Sequence, residues 1–291
     1  MFRGSFVALA TPFSRGRIDE QALKQLVNWH IEQGTDGIVA IGKTAESSTL
    51  NFSELKQVLS IVVQEVAGRV PVVAAPEFEF SRFAEEIGVD AVLYRQGYDS
   101  RPGAESPFRR FKALHDSTNT RFILDAARPH TVSGPQQFFS VDITSRVVSD
   151  LSNLPRVVGI HDGLSGVTRI RRWRQSTPAD FSCLSGAETE ISECDEIVGD
   201  GTISVLANIV PSLCSGIQAA RRKGDDAALQ GYQERVVTLG KAFAEVDLVS
   251  GIKYALSLYG LASDECRSPR YPISPKKGYG IRQALVSAGV L

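Results

Sequence analysis

Two ionisable residues, His161 and Asp162, directly follow the apolar run Val157–Ile160, and a carboxylate, Asp125, falls inside the run Phe122–Ala126. Lys43 follows Gly37–Gly42, Asp99 follows Ala91–Tyr94, and His130 follows the segment that holds Asp125. An apolar pocket does not keep such groups without partners. Placed on neighbouring segments, His161 and Asp125 make an acid–base dyad in which the carboxylate fixes the imidazole tautomer. Joined by Asp99 or His130, the pair has ligand types that suit a divalent ion. The spacing carries no metal motif, and the expectation is a site without metal or other cofactor. Lys43 is suited to pairing with an anion.

The elements that must position these residues are read from the apolar pattern. The runs Ser5–Ala10, Gly37–Gly42, Val70–Ala75, Ala91–Tyr94, Phe122–Ala126, Val157–Ile160, Phe181–Ser185 and Thr202–Ala207 are rich in Val, Ile, Leu and Phe without clean alternation. That is the signature of parallel strands buried on both faces. Amphipathic helices lie between them. Asp19 opens one, with Leu23, Leu26, Val27 and Ile31 on its stripe; Ser53 is read as opening the next, with Leu55, Val58, Leu59, Val62 and Val66, and Gly68 stopping it. The expected fold is α/β, a (β/α)8 barrel over residues 1–210, with a helical extension over 211–291 packed on it. The third crossover has room for only a stub, Phe80–Ile87, and the late helices are Ser212–Arg222, Asp226–Phe243, Leu248–Tyr259 and Gly280–Ser287. An open doubly wound sheet would bring a glycine-rich turn after the first strand, and ATPFSRG has none. In a barrel, Lys43, Asp99, Asp125, His130, His161 and Asp162 all fall at the C-terminal strand ends, where barrel active sites lie.

The chain has 291 residues, 43% hydrophobic and 22% charged, and a net charge of -1, which points away from a nucleic-acid partner. No apolar stretch is long enough for a membrane span, and the start lacks the pattern of a signal peptide. A cytoplasmic protein is expected, with Cys183, Cys194, Cys214 and Cys266 as reduced, buried small side chains. The run Arg171-Arg172-Trp173-Arg174 reads as a solvated helix face or, second, an anion or subunit contact. His30 and His115 read as ordinary surface or helix residues, and Lys253 as a structural or surface lysine.

Several stretches carry a family resemblance. GSFVALATPF, GKTAESSTL (Gly42–Leu50), GRVPVVAA (Gly68–Ala75), GTISVLAN (Gly201–Asn208) and GIKYALSLYGL resemble, nearly end to end, the dihydrodipicolinate synthase / N-acetylneuraminate lyase family. The resemblance implies a TIM barrel with C-terminal helices, usually a tetramer, that holds an α-keto acid as a Schiff base on a barrel lysine and runs an aldol addition or cleavage. It also implies which residues should do so, and here they differ. The lysine of the family's GIKE-like motif corresponds to His161 in Gly159-Ile160-His161-Asp162. The relay tyrosine of YNVPxRT corresponds to Asp125 and its arginine to His130, with only Thr131 kept. The first threonine of GTTGES corresponds to Lys43, and PYY reads Gly97-Tyr98-Asp99. Thr44, which helps bind the keto acid's carboxylate in the family, and Ile203 survive; with Tyr98 and His130 they are the candidate substrate-binding residues, the alternative for Tyr98 being packing at the fourth strand's exit.

A Schiff base needs a primary amine that attacks while neutral, and a histidine adduct cannot lose water to a stable imine. The standard pyruvate reaction is therefore excluded at His161. The expectation is a pseudoenzyme or keto-acid binding protein, a homodimer or homotetramer whose partner is a small keto acid or other anion. The alternative is an active lyase, aldolase or hydratase using the Asp125/His161 pair, or Lys43 as a relocated Schiff-base lysine.

Overall fold

The structure is a computed structural model; it describes residues 1–76, 81–95, 107–126, 145–163, 166–186 and 199–291. In chain order the elements are β1 (Gly4–Ala8), β2 (Phe13–Ser14), β3 (Arg17–Ile18), α1 (Glu20–Glu32), β4 (Gly37–Ala40), α2 (Phe52–Val66), β5 (Val72–Ala74), α3 (Ser81–Ile87), β6 (Ala91–Arg95), α4 (Pro107–Asp116), β7 (Phe122–Asp125), α5 (Ser145–Ser152), β8 (Val157–Asp162), α6 (Gly166–Ser176), β9 (Ser182–Ser185), β10 (Gly201–Ser204), α7 (Pro211–Lys223), α8 (Asp226–Phe243), α9 (Leu248–Leu258) and α10 (Pro275–Ser287). β1 and β4–β10 close into a parallel barrel in the order β1-β10-β9-β8-β7-β6-β5-β4. All eight apolar runs read from the sequence are barrel strands, and the third crossover helix is the expected stub of seven residues. β2 and β3 form a small antiparallel hairpin that the sequence reading lacked; Arg15 and Gly16 turn it with positive φ.

Two apolar layers hold the barrel. Phe2, Phe6, Val39, Val73, Ala91, Leu93, Ile123, Leu184 and Ile203 fill the interior. A larger cluster joins the outer strand faces to the helices, from Leu23 and Val27 of α1 to Ile252 and Leu256 of α9. Gly37 pairs with Phe6 across β1 and β4. A Cβ at Gly37 would lie 2.1 Å from the Phe6 ring, so the aromatic plug needs glycine there.

Local signals set the helix starts. Asp19 caps α1, accepting from the Ala22 N–H. For α2 the cap is Asn51, not Ser53: Asn51 and Glu54 form a reciprocal capping box. The end comes at Ala67 in the left-handed region, with Gly68 just beyond it. His30 and His115 are not surface residues, at 0% and 4% exposure. Each continues the buried stripe of its helix, His30 after Leu23, Leu26 and Val27, and His115 after Phe108 and Phe111. Of the arginine run, Arg171 and Arg172 are exposed, whereas Arg174 turns inward to Asp200 at 3.3 Å and to the Phe181 carbonyl at 2.6 Å. Cys183 and Cys214 are buried thiols, Cys266 is half-buried, and Cys194 lies outside the described residues. Burial pushes the Cys183 thiol up to about 11. No helix among the described residues is long and apolar enough to cross a membrane.

Candidate active site

β7 and β8 bring the sequence-predicted pair together. Asp125 is the register partner of His161, and its Oδ1 lies 3.3 Å from His161 Nδ1. Both residues are buried, with 8% of His161 and 4% of Asp125 exposed. On β7, Ile123 faces the barrel interior and Leu124 the helices, so alternation turns Asp125 inward. On β8, plain alternation from Val157, which packs outward, would turn His161 outward as well. The register shifts between the β7 residues Phe122 and Ile123, leaving an extra residue on β8. Such a bulge reverses the faces beyond it. Val158 then packs inward and Ile160 outward, and His161, beside inward-facing Leu184 of β9, turns into the barrel mouth. Asp162 is carried to the outer side, where Arg169 of α6 lies with its Nε 3.4 Å away.

An ionised carboxylate only accepts hydrogen bonds, so Asp125 places the ring proton on Nδ1 and leaves the lone pair on Nε2. That nitrogen is buried and has no hydrogen-bond partner among the described residues. It lies against Gly186 at the end of β9, where a Cβ would stand only 2.9 Å from it. The absence of a side chain at Gly186 keeps space beside the one uncommitted atom of the pair.

Lys43 and Thr44 sit elsewhere on the rim. They follow β4, four places from β8 in the closed order and thus across the mouth from His161. Thr44 is buried and Lys43 exposed. Every other lysine lies on a helix, and none stands on a barrel strand. Ile203 of β10 is in the interior layer. Tyr98, Asp99, His130 and Thr131 lie outside the described residues. The metal alternative required Asp99 or His130; among the described residues no three His, Cys, Asp or Glu side chains converge as a metal site.

One part of this face escaped the sequence reading. Glu46, in the turn that carries Lys43 and Thr44, is fully buried with φ of 54°. Its Oε1 forms an ion pair with Lys253 of α9, which is 1% exposed. Its Oε2 accepts from the Arg267 backbone at 3.0 Å. Lys253 also donates to the Glu265 carbonyl at 2.9 Å. The Phe13 ring lies 4.0 Å from the Lys253 ammonium and 4.4 Å from the Arg267 guanidinium. Burial pushes Lys253 down from its usual range, and Glu46 opposes that shift. The available signal was Lys253 inside the apolar stripe Ile252, Ala255 and Leu256.

Comparisons with known proteins agree with this architecture. The model of the dihydrodipicolinate synthetase family matches residues 1–288. The 4-hydroxy-tetrahydrodipicolinate synthase of Rhodopseudomonas palustris (strain BisA53) is 37% identical over 297 residues, covering 100% of this chain and 98% of its own. A monomeric dihydrodipicolinate synthase variant superimposes with a TM-score of 0.90 at 25% identity, covering 100% of this chain and 98% of its own. The chloride-inhibited dihydrodipicolinate synthase of Acinetobacter baumannii, solved with pyruvate, gives a TM-score of 0.88 at 29% identity, covering both chains fully.

Proposed function

The chain belongs to the dihydrodipicolinate synthetase family, and from that premise we propose that it acts on a small α-keto acid by proton transfer at His161, without an imine on a barrel lysine. The observation that carries this reading is the buried Nε2 of His161, partnerless among the described residues while Asp125 holds the other nitrogen. In this reading Nε2 is the general base. It takes a proton from the carbon beside the keto group, and Asp125 stabilises the imidazolium that forms. Thr44 and Lys43, across the mouth, receive the carboxylate. A homodimer or homotetramer is part of the same proposal.

The test is exchange of the pyruvate methyl protons in D2O, followed by NMR. The wild-type chain accelerates exchange, and His161→Ala lowers the rate by about 10²–10⁴-fold. Borohydride added with pyruvate leaves the wild-type mass unchanged. A reduced adduct on Lys43 would move the chemistry to that residue and defeat this account. A second reading, keto-acid binding without turnover, draws support from the lack of any strand lysine. Saturable pyruvate binding with no exchange above background decides for it.

A further inference from the structure

At the opposite end of the barrel, Arg3 precedes β1, Gly199 and Asp200 precede β10, and Gln218, Arg221 and Arg222 occupy the last turns of α7. Together they line a cleft of about 290 Å³. Among the described residues that line it, three are arginines and one is a carboxylate. Asp200 is already engaged: Arg3 Nε lies 3.4 Å from its Oδ1, Arg174 Nη1 lies 3.3 Å from its Oδ2, and the Cys183 backbone donates to Oδ2 at 2.8 Å. Arg222 is exposed at the rim.

Basic residues at a helix C-terminus complement the helix dipole and alone mark no site. Gln218 is the independent observation. It is 3% exposed, lines the cleft, and its Nε2 has no hydrogen-bond partner among the described residues. A buried amide N–H without an acceptor is costly, and the dipole does not explain it. The two observations call for the same ligand, one with negative charge and acceptor oxygens. We propose that this cleft binds a phosphate-type dianion, inorganic phosphate or the phosphoryl group of a small metabolite. Arg3 and Arg222 supply charge and guanidinium donors, and the Gln218 amide gives the dry contact. The site lies on the face away from His161 and Asp125, so occupancy is independent of chemistry at the mouth.

The probe is inorganic phosphate, titrated into the full chain by calorimetry and thermal shift at constant ionic strength, with chloride as the control. Saturable stabilisation by phosphate and not chloride is expected. Affinity falls about tenfold or more in Arg222→Ala and in Gln218→Leu and is unchanged in His161→Ala. Gln218→Leu separates ligand binding from a structural role. It removes a partnerless buried donor, so the melting temperature without phosphate rises or holds while affinity falls. A flat titration overturns the proposal and returns these arginines to pairing with the chain's own carboxylates. So does binding that survives Gln218→Leu, or a Gln218→Leu variant that melts lower without phosphate. Where phosphate binds, a sugar phosphate compared with its unphosphorylated parent identifies the source of the phosphoryl group: tighter binding than phosphate supports a metabolite, and equal binding supports the free ion.

Discussion

Two buried acid–base pairs at the mouth of the barrel are finished differently. Lys253 and Glu46 are engaged on both sides: the ammonium meets a carboxylate, a carbonyl and an aromatic face, and the second carboxylate oxygen takes a backbone N–H. His161 and Asp125 stop halfway, with one ring nitrogen held and the other partnerless among the described residues. A buried charge held by an opposite charge and by the backbone fixes the chain around it. A buried base with an atom in reserve has capacity for a ligand. The first pair pins a non-glycine residue in the left-handed region, which costs on the order of 1–2 kcal/mol unless the surroundings over-determine it.

The largest expected effect follows from that contrast. Lys253→Met strands the Glu46 carboxylate in a dry site and should lower unfolding free energy by about 3–5 kcal/mol, read from denaturant titration. Adding Glu46→Gln should recover part of the loss, because an amide still accepts from the Arg267 backbone. Asp125→Asn should cost far less stability; if it matches Lys253→Met, the two pairs do the same job and the contrast fails.

A third buried base sharpens the comparison. His30 has no carboxylate beside it among the described residues, and burial pushes its imidazole down to about 3. The folded value is below the unfolded one, so the unfolded chain takes the proton. The stability this lends is complete above about pH 6.5 and drains as the pH falls toward 3. Between about pH 7 and pH 4 the loss is on the order of 3 kcal/mol. His30→Gln should flatten the acid limb of a stability-against-pH curve by that amount; an unchanged limb would show that other groups set it.

The smallest effect is at the edge of the Lys253 network. Arg267 donates to both Glu54 oxygens at 2.6 and 2.9 Å and holds that carboxyl below its usual range. These side chains are 17% and 21% exposed, so solvent screens them. Arg267→Lys keeps the charge, loses the fork, and should cost about 1 kcal/mol by the same titration.

The frame of the molecule was legible because buried strands and amphipathic stripes are local patterns. Val157–Ile160 read as a strand, but its end did not: His161 and Asp162 are polar and look like loop, while backbone pairing with Ser185 continues through Asp162. That Asp125 and His161 meet followed from neighbouring strands; that His161 faces inward depends on a register shift no period reveals. Asn51 was readable as a cap, since Glu54 stands three residues on, and Ser53 drew the reading away from it. The buried partner of Lys253 was not readable, because Glu46 lies about 200 residues earlier and the two meet only through the closed fold.

The clasp formed by Glu265 and Arg267 has a consequence for the order in which the molecule is made. Glu265 accepts from the backbones of Arg15 and Gly16, and Arg267 reaches Gly16, Glu46, Thr49 and Glu54, partners more than 200 positions upstream. A nascent chain ending at Leu261 already carries every barrel strand and Lys253. It still lacks the arginine that completes the turn bearing Lys43 and Thr44. Contacts of such sequence separation form late. Synthesis therefore delivers a walled barrel first and a finished rim last, and ribosome-bound chains should expose the Gly42–Leu50 turn to protease until the final helix has emerged.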